Sequence, residues 1–445
     1  MPTSLTRRKF LRRAALAAAG VWAAPAFTKR LRAASPNEII RHASFGTTGM
    51  AAGDIESLTN HPSLKLVAVA DVDLNHADTI KKKFPDVKIY QDWRELLDKE
   101  KDIDSVNVTV PDHMHAAIAM SALQLGKHVY CQKPLTHDIY ETRRLTEEAR
   151  SRKLVTQMGI QIHSQGAYLQ AARIIRQGDI GKIKEVHSWS SKKWGDSAPR
   201  PDRSDAVPAR FNWDDWIGTA AERPFLGNGY YHPGNWRKRL DFGTGTFGDM
   251  GCHIFDPVFN SLQLTAPVSV RSDGPAPSEY NWAINAIVHY VFPGTPYTAE
   301  QTINVTWYDG DEQPPKEVQA LLEGDKLPDQ GTIFVGAKGT LLLPHIAYAQ
   351  LYPDKVFASY QRPHVQELDH WRQFVDTCLG KTQTAANFDY AGPLTETVLL
   401  GSVASRFPHT TLQWNGPALQ FENVPEANHF LRRQYRTGWD VTGLS

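Results

Sequence analysis

Residues 38–160 alternate short apolar segments with segments of helical periodicity, and this alternation constrains the fold more than any other feature of the chain. Five apolar segments predict β-strands: IIRHASF, LKLVAVAD, SVNVTVP, HVYCQKP and LVTQMGI. Between them, HAAIAMSALQLG ends on Gly126, a residue typical of helix C-termini, and DIYETRRLTEEARSRK begins with Asp138 and Glu141 at capping-box spacing. Apolar strands that alternate with helices predict a parallel sheet with helices on both faces.

After residue 160 the pattern changes. The helical segment YLQAARIIRQGDIG precedes KIKEVHSWSSKKW, and period-2 alternation in AINAIVHYVF, AEQTINVTWY and GTIFVGAKGTLLL predicts a mostly antiparallel sheet. Residues 309–331 and 344–364 are predicted as long irregular loops. Ten of the 12 tryptophans follow residue 160, which supports two domains with different tasks. We therefore predict an α/β domain over residues 35–160 and an α+β domain with a large open sheet over residues 161–445.

The N-terminal segment TRRKFLRRAALAAAGVWAAPAF combines paired arginines, Arg7 and Arg8, with a short alanine-rich run and the cleavage-type sequence Ala24-Pro25-Ala26. This order predicts a twin-arginine signal peptide over residues 1–34, and therefore a periplasmic or otherwise exported protein. The apolar run is too short to cross a membrane, so we predict no stable membrane anchor. The alternative is a basic N-terminus with no targeting role.

The overall composition excludes two classes of protein. The net charge is +1, so the chain lacks the positive surplus of a nucleic-acid-binding protein. Three cysteines in 445 residues exclude a disulfide scaffold, because an exported chain of this length buries enough apolar surface without covalent links.

The segment FGTTGMA follows the first predicted strand and opens a helix. Gly46 fits the first glycine of a dinucleotide-binding fingerprint, Thr48 replaces the second, and Ala51 is an accepted variant of the third. Gly49 stands next to Thr48 and supplies the same backbone freedom. Asp71 ends the second strand 25 residues after Gly46, where an acidic residue hydrogen-bonds the ribose hydroxyls and repels a 2′-phosphate. NAD is therefore favoured over NADP; the alternative is a tight turn in an ordinary α/β domain.

The segment CQKPL lies at the carboxyl end of a predicted parallel strand, where open α/β sheets bind ligands. Lys133 precedes Pro134, which restricts its backbone to extended conformations and also permits a cis peptide bond. A lysine at this position is placed to hydrogen-bond a substrate hydroxyl. A solvated lysine in a turn is the alternative.

A glycine-rich segment, DFGTGTFGDMGCHIFDP, leads into Asp249, His253 and Asp256. In a helix that includes these residues, both carboxylates share a face with the imidazole. A carboxylate beside a histidine orients the ring and raises its basicity, as proton abstraction near neutral pH requires. The alternatives are a buried histidine with a structural role and a metal site. Because the pair lacks further ligands, we predict no metal.

Together these segments resemble the Gfo/Idh/MocA oxidoreductases, whose members include glucose–fructose oxidoreductase and inositol dehydrogenase. The resemblance is carried by FGTTGMA, VADVD, TVPDHMH, CQKPL and GDMGCHIFD, in the family's order and spacing over nearly the whole mature chain. QKPLTHDIYETRRL and GTGTFGDMGCHIFDP look most like an exported branch of the family.

The resemblance implies a Rossmann NAD-binding domain, followed by a substrate-binding domain whose open sheet often forms an oligomer interface. It also implies that Lys133 assists proton transfer and that His253 is the catalytic base or acid, supported by Asp249. The implied NAD-site residues are Gly46, Thr48, Gly49, Met50, Asp71, Val110, Pro111, His115 and Gln132. Gln132 departs from the acidic residue of the family's E-K-P motif.

The segment YYHPGNWRKRLDFG, just before the histidine motif, carries candidate substrate residues. Tyr231 and Trp236 have aromatic faces on which a sugar stacks, and Arg237 has paired N–H donors that bind hydroxyls or a carboxylate. Gln161 and His163 follow the last strand of the first domain and are predicted to reach the same crevice. Taken singly, these residues also fit ordinary core and surface positions.

Three functions fit these features. The first is an NAD-dependent oxidoreductase acting on a sugar, glycoside or polyol hydroxyl. The second is a redox-neutral glycoside hydrolase that oxidises a ring hydroxyl, eliminates the aglycone, adds water and reduces the product again. The third is a non-catalytic periplasmic binding protein, for which Lys133 and the Asp249–His253 pair would be superfluous.

Export restricts how such an enzyme uses its cofactor. Free NAD is a cytoplasmic resource, and the twin-arginine route carries folded cargo. We therefore expect NAD to be loaded before export, to stay tightly bound and to be recycled in place. The expected partners are the export machinery and a small carbohydrate.

Overall fold

The computed structural model describes residues 39–445, and the predicted signal peptide lies outside them. Six parallel strands form the first sheet: β1 Ile40–Phe45, β2 Leu64–Ala70, β3 Lys88–Tyr90, β4 Ser105–Val108, β5 His128–Cys131 and β6 Thr156–Met158. Their spatial order is β3-β2-β1-β4-β5-β6. The order reverses between β1 and β4, so the loops that follow these two strands diverge and leave a crevice at the carboxyl edge of the sheet.

Five helices connect these strands: Met50–Thr59, Leu74–Lys83, Trp93–Lys99, Asp112–Gln124 and Ile139–Arg152. The predicted capping box is present, because the Glu141 amide donates to the Asp138 carboxylate (2.8 Å) and the Asp138 amide donates to the Glu141 side chain (3.2 Å). The predicted helix end at Gly126 is also present, with this glycine at φ 76°.

The second sheet has nine strands: β7 Ile183–Ser190, β8 Ser269–Ser272, β9 Ile287–Pro293, β10 Thr302–Asp309, β11 Gln330–Gly336, β12 Thr340–Pro344, β13 Gln350–Tyr352, β14 Thr411–Asn415 and β15 Gln420–Phe421. Their order is β13-β12-β11-β7-β10-β9-β8-β14-β15. Only the β7–β10 pair among these neighbours is parallel. The predicted fold class, a parallel α/β domain followed by a domain with a mostly antiparallel sheet, is confirmed.

The remaining α-helices are Gly166–Gln177, Trp213–Ile217, Gly245–Leu262, Lys316–Gln319, Asp354–Phe357, His370–Cys378 and Phe388–Ala404. Short 3-10 helices cover Gln161–Ser164, Asn235–Lys238, Ala320–Leu322 and Pro425–Phe430. The prediction of irregular loops was partly wrong. Residues 309–331 contain the turn of helix at Lys316–Gln319. Residues 344–364 contain β13, which pairs with β12 because Leu351 and Tyr352 are buried against the sheet.

The helix Gly245–Leu262 is buried along almost its whole length. It packs against the helices Gly166–Gln177 and Phe388–Ala404, and Phe247 stacks on Trp307 with ring centroids 4.7 Å apart. This packing fixes the rotation of the helix, and with it the directions of Asp249 and His253. Among residues 39–445, no helix has the length and apolar character needed to cross a membrane.

Candidate active site

A cavity of about 600 Å³ lies at the carboxyl edge of the first sheet, where the second domain covers it. All nine residues predicted for the NAD site line this cavity, and so do Lys133, Asp249 and His253. The structure therefore brings the nucleotide fingerprint and the predicted catalytic group into one continuous space.

The fingerprint loop has the backbone geometry that a nucleotide pyrophosphate needs. Gly46 has φ 93°, and a Cβ at this position would overlap the carbonyl oxygen of Thr109. Gly49 has φ 58°, with open space where its Cβ would be, and it directly precedes the helix Met50–Thr59. The N-terminus of this helix leaves amide groups free to bind an anion. In the fingerprint, the second glycine lets the backbone approach the pyrophosphate closely. Here Gly49 provides this space, and it lies next to Thr48, which occupies the second glycine position.

Asp71 lies at the end of β2 and lines the same cavity. Its Oδ2 accepts hydrogen bonds from the Thr47 amide (3.0 Å) and the Thr47 hydroxyl (2.5 Å), and its Oδ1 accepts one from the Asp73 amide (3.0 Å). Burial raises the pKa of Asp71, while the hydrogen bond from Thr47 opposes that rise. These bonds fix the carboxylate at the position where a ribose diol would donate to it, so the residues present fit NAD.

Gln132, which stands where the family has an acid, faces a carboxylate. Its Nε2 donates to both oxygens of Asp54 (3.2 and 3.0 Å), and Trp371 and Thr109 donate to the same carboxylate (2.9 and 2.8 Å). Burial raises the pKa of Asp54 to about 6 despite these bonds. The amide at position 132 therefore satisfies a buried acid that a glutamate would repel.

We expect Gln132→Glu to destabilise the fold, and increasingly so as the pH rises from 5 to 8. The folded pair would hold a proton at pH values where the unfolded carboxyls have lost theirs, so raising the pH removes stability. At pH 8 the loss should be about 3 kcal/mol in the free energy of unfolding. Thermal unfolding at several pH values measures this. The double variant Asp54→Asn/Gln132→Glu, which exchanges the two groups, should recover most of the loss; equal losses at pH 5 and pH 8 would contradict the explanation.

Lys133 projects from the end of β5 to the helix Gly245–Leu262, and its peptide bond to Pro134 is cis. Its Nζ donates to Asp249 Oδ1 (2.6 Å) and to the Asp249 backbone carbonyl (2.8 Å). Arg237 and Lys192 also approach the Asp249 carboxylate, at 3.3 and 3.4 Å. Burial alone would raise the pKa of Asp249, but these three cations outweigh it and hold that pKa well below its usual range. The aspartate is therefore ionised throughout the neutral range.

His253 lies one turn further along the same helix. Its Nδ1 is buried and has no hydrogen-bond partner within the described residues, and its ring centroid lies 5.7 Å from that of His345. Burial, together with the nearby charge of Lys133, holds the pKa of His253 well below its usual value. The imidazole is thus neutral at the wall of the cavity, in the form that accepts a proton.

Two expected pairings within this helix were wrong. Asp249 makes no hydrogen bond to His253, because its carboxylate is directed to Lys133. Asp256 instead bonds His163 Nδ1 (2.8 Å) and accepts from the Tyr390 hydroxyl (2.6 Å). His163 is buried in this pairing and does not line the cavity, so its predicted contact with substrate is not supported.

Of the other predicted substrate residues, three line the cavity and one does not. Gln161, Trp236 and Arg237 line the cavity, and Gln161 Oε1 is a buried acceptor without a partner among the described residues. Tyr231 does not line it. Its ring is buried with Trp213, Trp216 and Phe242 in an aromatic cluster behind the cavity wall, so it packs the core.

Val110, Pro111 and His115 line the cavity beside β4. The two ring nitrogens of His115 lie 2.8 Å from the Val110 carbonyl oxygen and 2.7 Å from the Pro134 carbonyl oxygen. Burial lowers the pKa of His115, while the nearby charge of Asp112 and the two carbonyl oxygens oppose that shift. The ring links the loops that follow β4 and β5, and thereby fixes the edge of the cavity beside Lys133.

Comparison with known protein families identifies both halves of the chain. Residues 40–160 match the Gfo/Idh/MocA family's "NAD-binding Rossmann fold", and residues 187–441 match its "C-terminal alpha/beta domain". The chain belongs to the Gfo/Idh/MocA oxidoreductase family. Its first domain is therefore an NAD-binding Rossmann domain, as the fingerprint predicted.

Curated relatives from this family are similar over about a third of the chain. Inositol 2-dehydrogenase of Salmonella typhimurium is 32% identical over 143 residues, which are 31% of this chain and 42% of that enzyme. Levoglucosan dehydrogenase of Pseudarthrobacter phenanthrenivorans is 29% identical over 133 residues, which are 30% of this chain and 33% of that enzyme. The matched region thus spans less than half the length of these relatives.

Solved structures share the fold over both domains. The WlbA dehydrogenase of Chromobacterium violaceum, in complex with NADH and UDP-GlcNAcA, superposes with a TM-score of 0.62 at 15% identity, over 86% of this chain and 98% of that one. GenD2 from gentamicin A biosynthesis, in complex with NAD, superposes with a TM-score of 0.57 at 17% identity, over 85% and 97%.

Several residues of this Gfo/Idh/MocA site were not found from the sequence. Lys192 and Trp194 follow the end of β7 and reach Asp249, in a segment read only as strand and loop. Asp73, His76 and His232 come together at the rim, with their ligand atoms within 4.8 Å of one another, although we predicted no metal site. His232 comes from a different domain than the other two, so no spacing in the sequence indicates this group.

Proposed function

We propose that this chain is an exported enzyme that oxidises a hydroxyl-bearing carbon of a sugar, glycoside or polyol with NAD that stays bound. The bound cofactor is reoxidised in place by reducing a carbonyl group, either of the oxidised intermediate or of a second substrate. One observation carries the proposal: a single cavity is lined at one end by Gly46 and Asp71 and at the other by Lys133 and His253. A protein that only stores a nucleotide or a sugar has no need of a charged lysine and a neutral histidine beside the nucleotide site.

The residues divide the chemistry as follows. NAD, when bound, supplies the electron acceptor for the carbinol carbon. Lys133 donates a hydrogen bond to the reacting oxygen and stabilises the negative charge that develops on it. His253 accepts the hydroxyl proton during oxidation and returns it during reduction. Asp249 is a positioning residue, because its buried carboxylate holds the lysine in place.

Relatives support a carbohydrate as substrate. Two are named for inositol and levoglucosan, and the WlbA structure contains UDP-GlcNAcA. All three compounds carry several hydroxyl groups, and the tryptophan and arginine side chains of this cavity suit such a ligand.

The proposal is tested on protein purified without added nucleotide. The absorbance of the denatured supernatant should show close to one NAD(H) per chain. Turnover with glycosides and polyols in deuterated water then distinguishes the reaction types. Accumulation of NADH or of a keto product supports a dehydrogenase. Absence of both nucleotide and redox change with every substrate would contradict the proposal and support a binding protein.

The redox-neutral hydrolase remains the second candidate, because a cofactor that cannot leave must be restored in each cycle. Its specific outcome in the same experiment is released sugar that carries deuterium at a ring carbon. Deuterium enters there because oxidation of a ring hydroxyl makes the neighbouring C–H acidic.

Export is part of the proposal and has its own test. We expect Arg7→Lys combined with Arg8→Lys to keep the protein in the cytoplasm, because the twin arginines are what the receptor reads. Cell fractionation and immunoblotting measure this. The matched variant with Arg12→Lys and Arg13→Lys keeps the same charge and should be exported normally. Normal export of the first variant would refute the twin-arginine route.

We also propose that the chain forms a homo-oligomer through its second sheet. Light scattering of the mature protein measures the mass in solution, and the mass of a monomer at micromolar concentration would contradict this.

A further inference from the structure

Positive charge exceeds negative charge at the reacting end of the cavity. Three cations, Lys133, Lys192 and Arg237, converge on the single carboxylate of Asp249. A second acid in this wall, Asp112, forms no ion pair with any residue from 39 to 445. It accepts a hydrogen bond from the Thr244 hydroxyl, and burial raises its pKa. With both acids ionised, the wall still carries one uncompensated positive charge.

The neighbouring histidines do not change this charge. Burial lowers the pKa of His345 to about 4, and that of His253 also lies well below its usual value, so both rings are neutral at pH 7. The surplus therefore resides on the lysine and arginine side chains alone.

Two of the three cations retain capacity for a ligand. Lys192 approaches Asp249 only at 3.4 Å, and 41% of its side chain is exposed. Arg237 contacts Asp249 through Nε at 3.3 Å, and 30% of its side chain is exposed. Lys133, in contrast, makes two short bonds to Asp249 and is 14% exposed.

The Arg237 guanidinium lies close to two aromatic rings. Its central carbon lies 4.3 Å from the Trp236 ring centroid and 5.5 Å from that of Trp194. Trp194 is itself fixed by donating Nε1–H to Asp249 (2.9 Å). A planar guanidinium that lies on an aromatic ring, near an ammonium group, is a good receptor for a carboxylate, because a carboxylate accepts two parallel hydrogen bonds from it.

We propose that the substrate is a sugar acid, whose carboxylate binds between Lys192 and Arg237 while its reacting hydroxyl faces Lys133 and His253. This inference rests on the proposed function and specifies its substrate class. A neutral polyol would leave the surplus charge of the wall uncompensated. A bound carboxylate neutralises it, and it also offsets the positive field that weakens His253 as a base.

Binding of matched acids and neutral sugars to the NAD-containing protein tests the inference. The probes are D-glucuronate, D-galacturonate and D-gluconate, each compared with its uncharged parent, D-glucose, D-galactose or D-glucitol. Isothermal titration calorimetry gives the dissociation constants. We expect at least one acid to bind 10-fold or more tightly than its parent. Equal or weaker binding of all three acids would overturn the inference.

Two neighbouring lysines provide the variant and its control. Lys192→Met should remove most of the preference for the acid, whereas binding of the neutral parent should change less than threefold. Lys193 is adjacent but pairs with Asp311 at the surface (2.7 Å), so Lys193→Met should behave as wild type. An unchanged preference in Lys192→Met would also overturn the inference.

Failure of the inference and failure of the proposed function give different results. If neutral sugars are oxidised without any preference for acids, only the substrate class fails; if no probe is oxidised yet acids bind selectively, the proposed function fails instead.

Discussion

Replacing Lys133 by methionine should lower kcat about 10³-fold, which is within the range typical of a lost proton-transfer or hydrogen-bonding group. Methionine keeps most of the volume of the side chain but removes the ammonium group that bonds Asp249 at the cavity wall. Arg237 and Lys192 remain beside Asp249, so its carboxylate stays ionised and the helix keeps its partners. Single-turnover kinetics with the bound nucleotide measure the effect on chemistry.

The same variant has a second readout that a purely structural role would not produce. The charge of Lys133 contributes to the lowered pKa of His253, so its removal should raise that pKa. A raised base pKa moves the acidic limb of the kcat profile to higher pH. Lys193→Met replaces an exposed lysine that pairs with Asp311 and should leave both the rate and the profile unchanged. Retention of more than a tenth of kcat, or an unmoved acidic limb, would contradict the role assigned to Lys133.

Within the first domain, the sequence was sufficient to predict the sheet and its ligand-binding edge. Apolar strands alternate there with capped helices, and both signals are local. The fingerprint and Asp71 could be recognised because turn geometry and a strand end place them together, whatever the rest of the chain does. All nine predicted nucleotide residues accordingly line one cavity.

The second domain shows where such reasoning stops. Helical spacing correctly placed Asp249, His253 and Asp256 on one helix, but it could not tell which partners each carboxylate would find on other elements. Asp249 turns to Lys133, 116 positions earlier in the chain, and Asp256 turns to His163, 93 positions earlier. The burial of Tyr231 in an aromatic cluster also depends on tertiary packing. From the sequence alone, an aromatic residue in a loop is equally compatible with binding a ligand and with packing in the core.

Replacing Gly46 by alanine should have the largest effect on cofactor retention. The residue has φ 93°, which costs an alanine about 1–2 kcal/mol, and the added Cβ would overlap the Thr109 carbonyl oxygen, which adds about 1–3 kcal/mol more. Relief of this overlap requires the loop after β1 to move away from the loop after β4. That movement displaces the amides of the helix Met50–Thr59 from the site of the pyrophosphate, so the variant should be purified with less than a tenth of the wild-type NAD(H) content.

Gly126 provides a control that separates backbone strain from steric overlap. It has a similar φ of 76°, but no atom of residues 39–445 lies within 4 Å of where its Cβ would be. Gly126→Ala should therefore lose only about 1–2 kcal/mol of stability and keep its NAD(H). Chemical denaturation and nucleotide content, measured on both variants, distinguish the two effects. If Gly46→Ala kept a full complement of NAD(H), close approach at residue 46 would not be what holds the nucleotide.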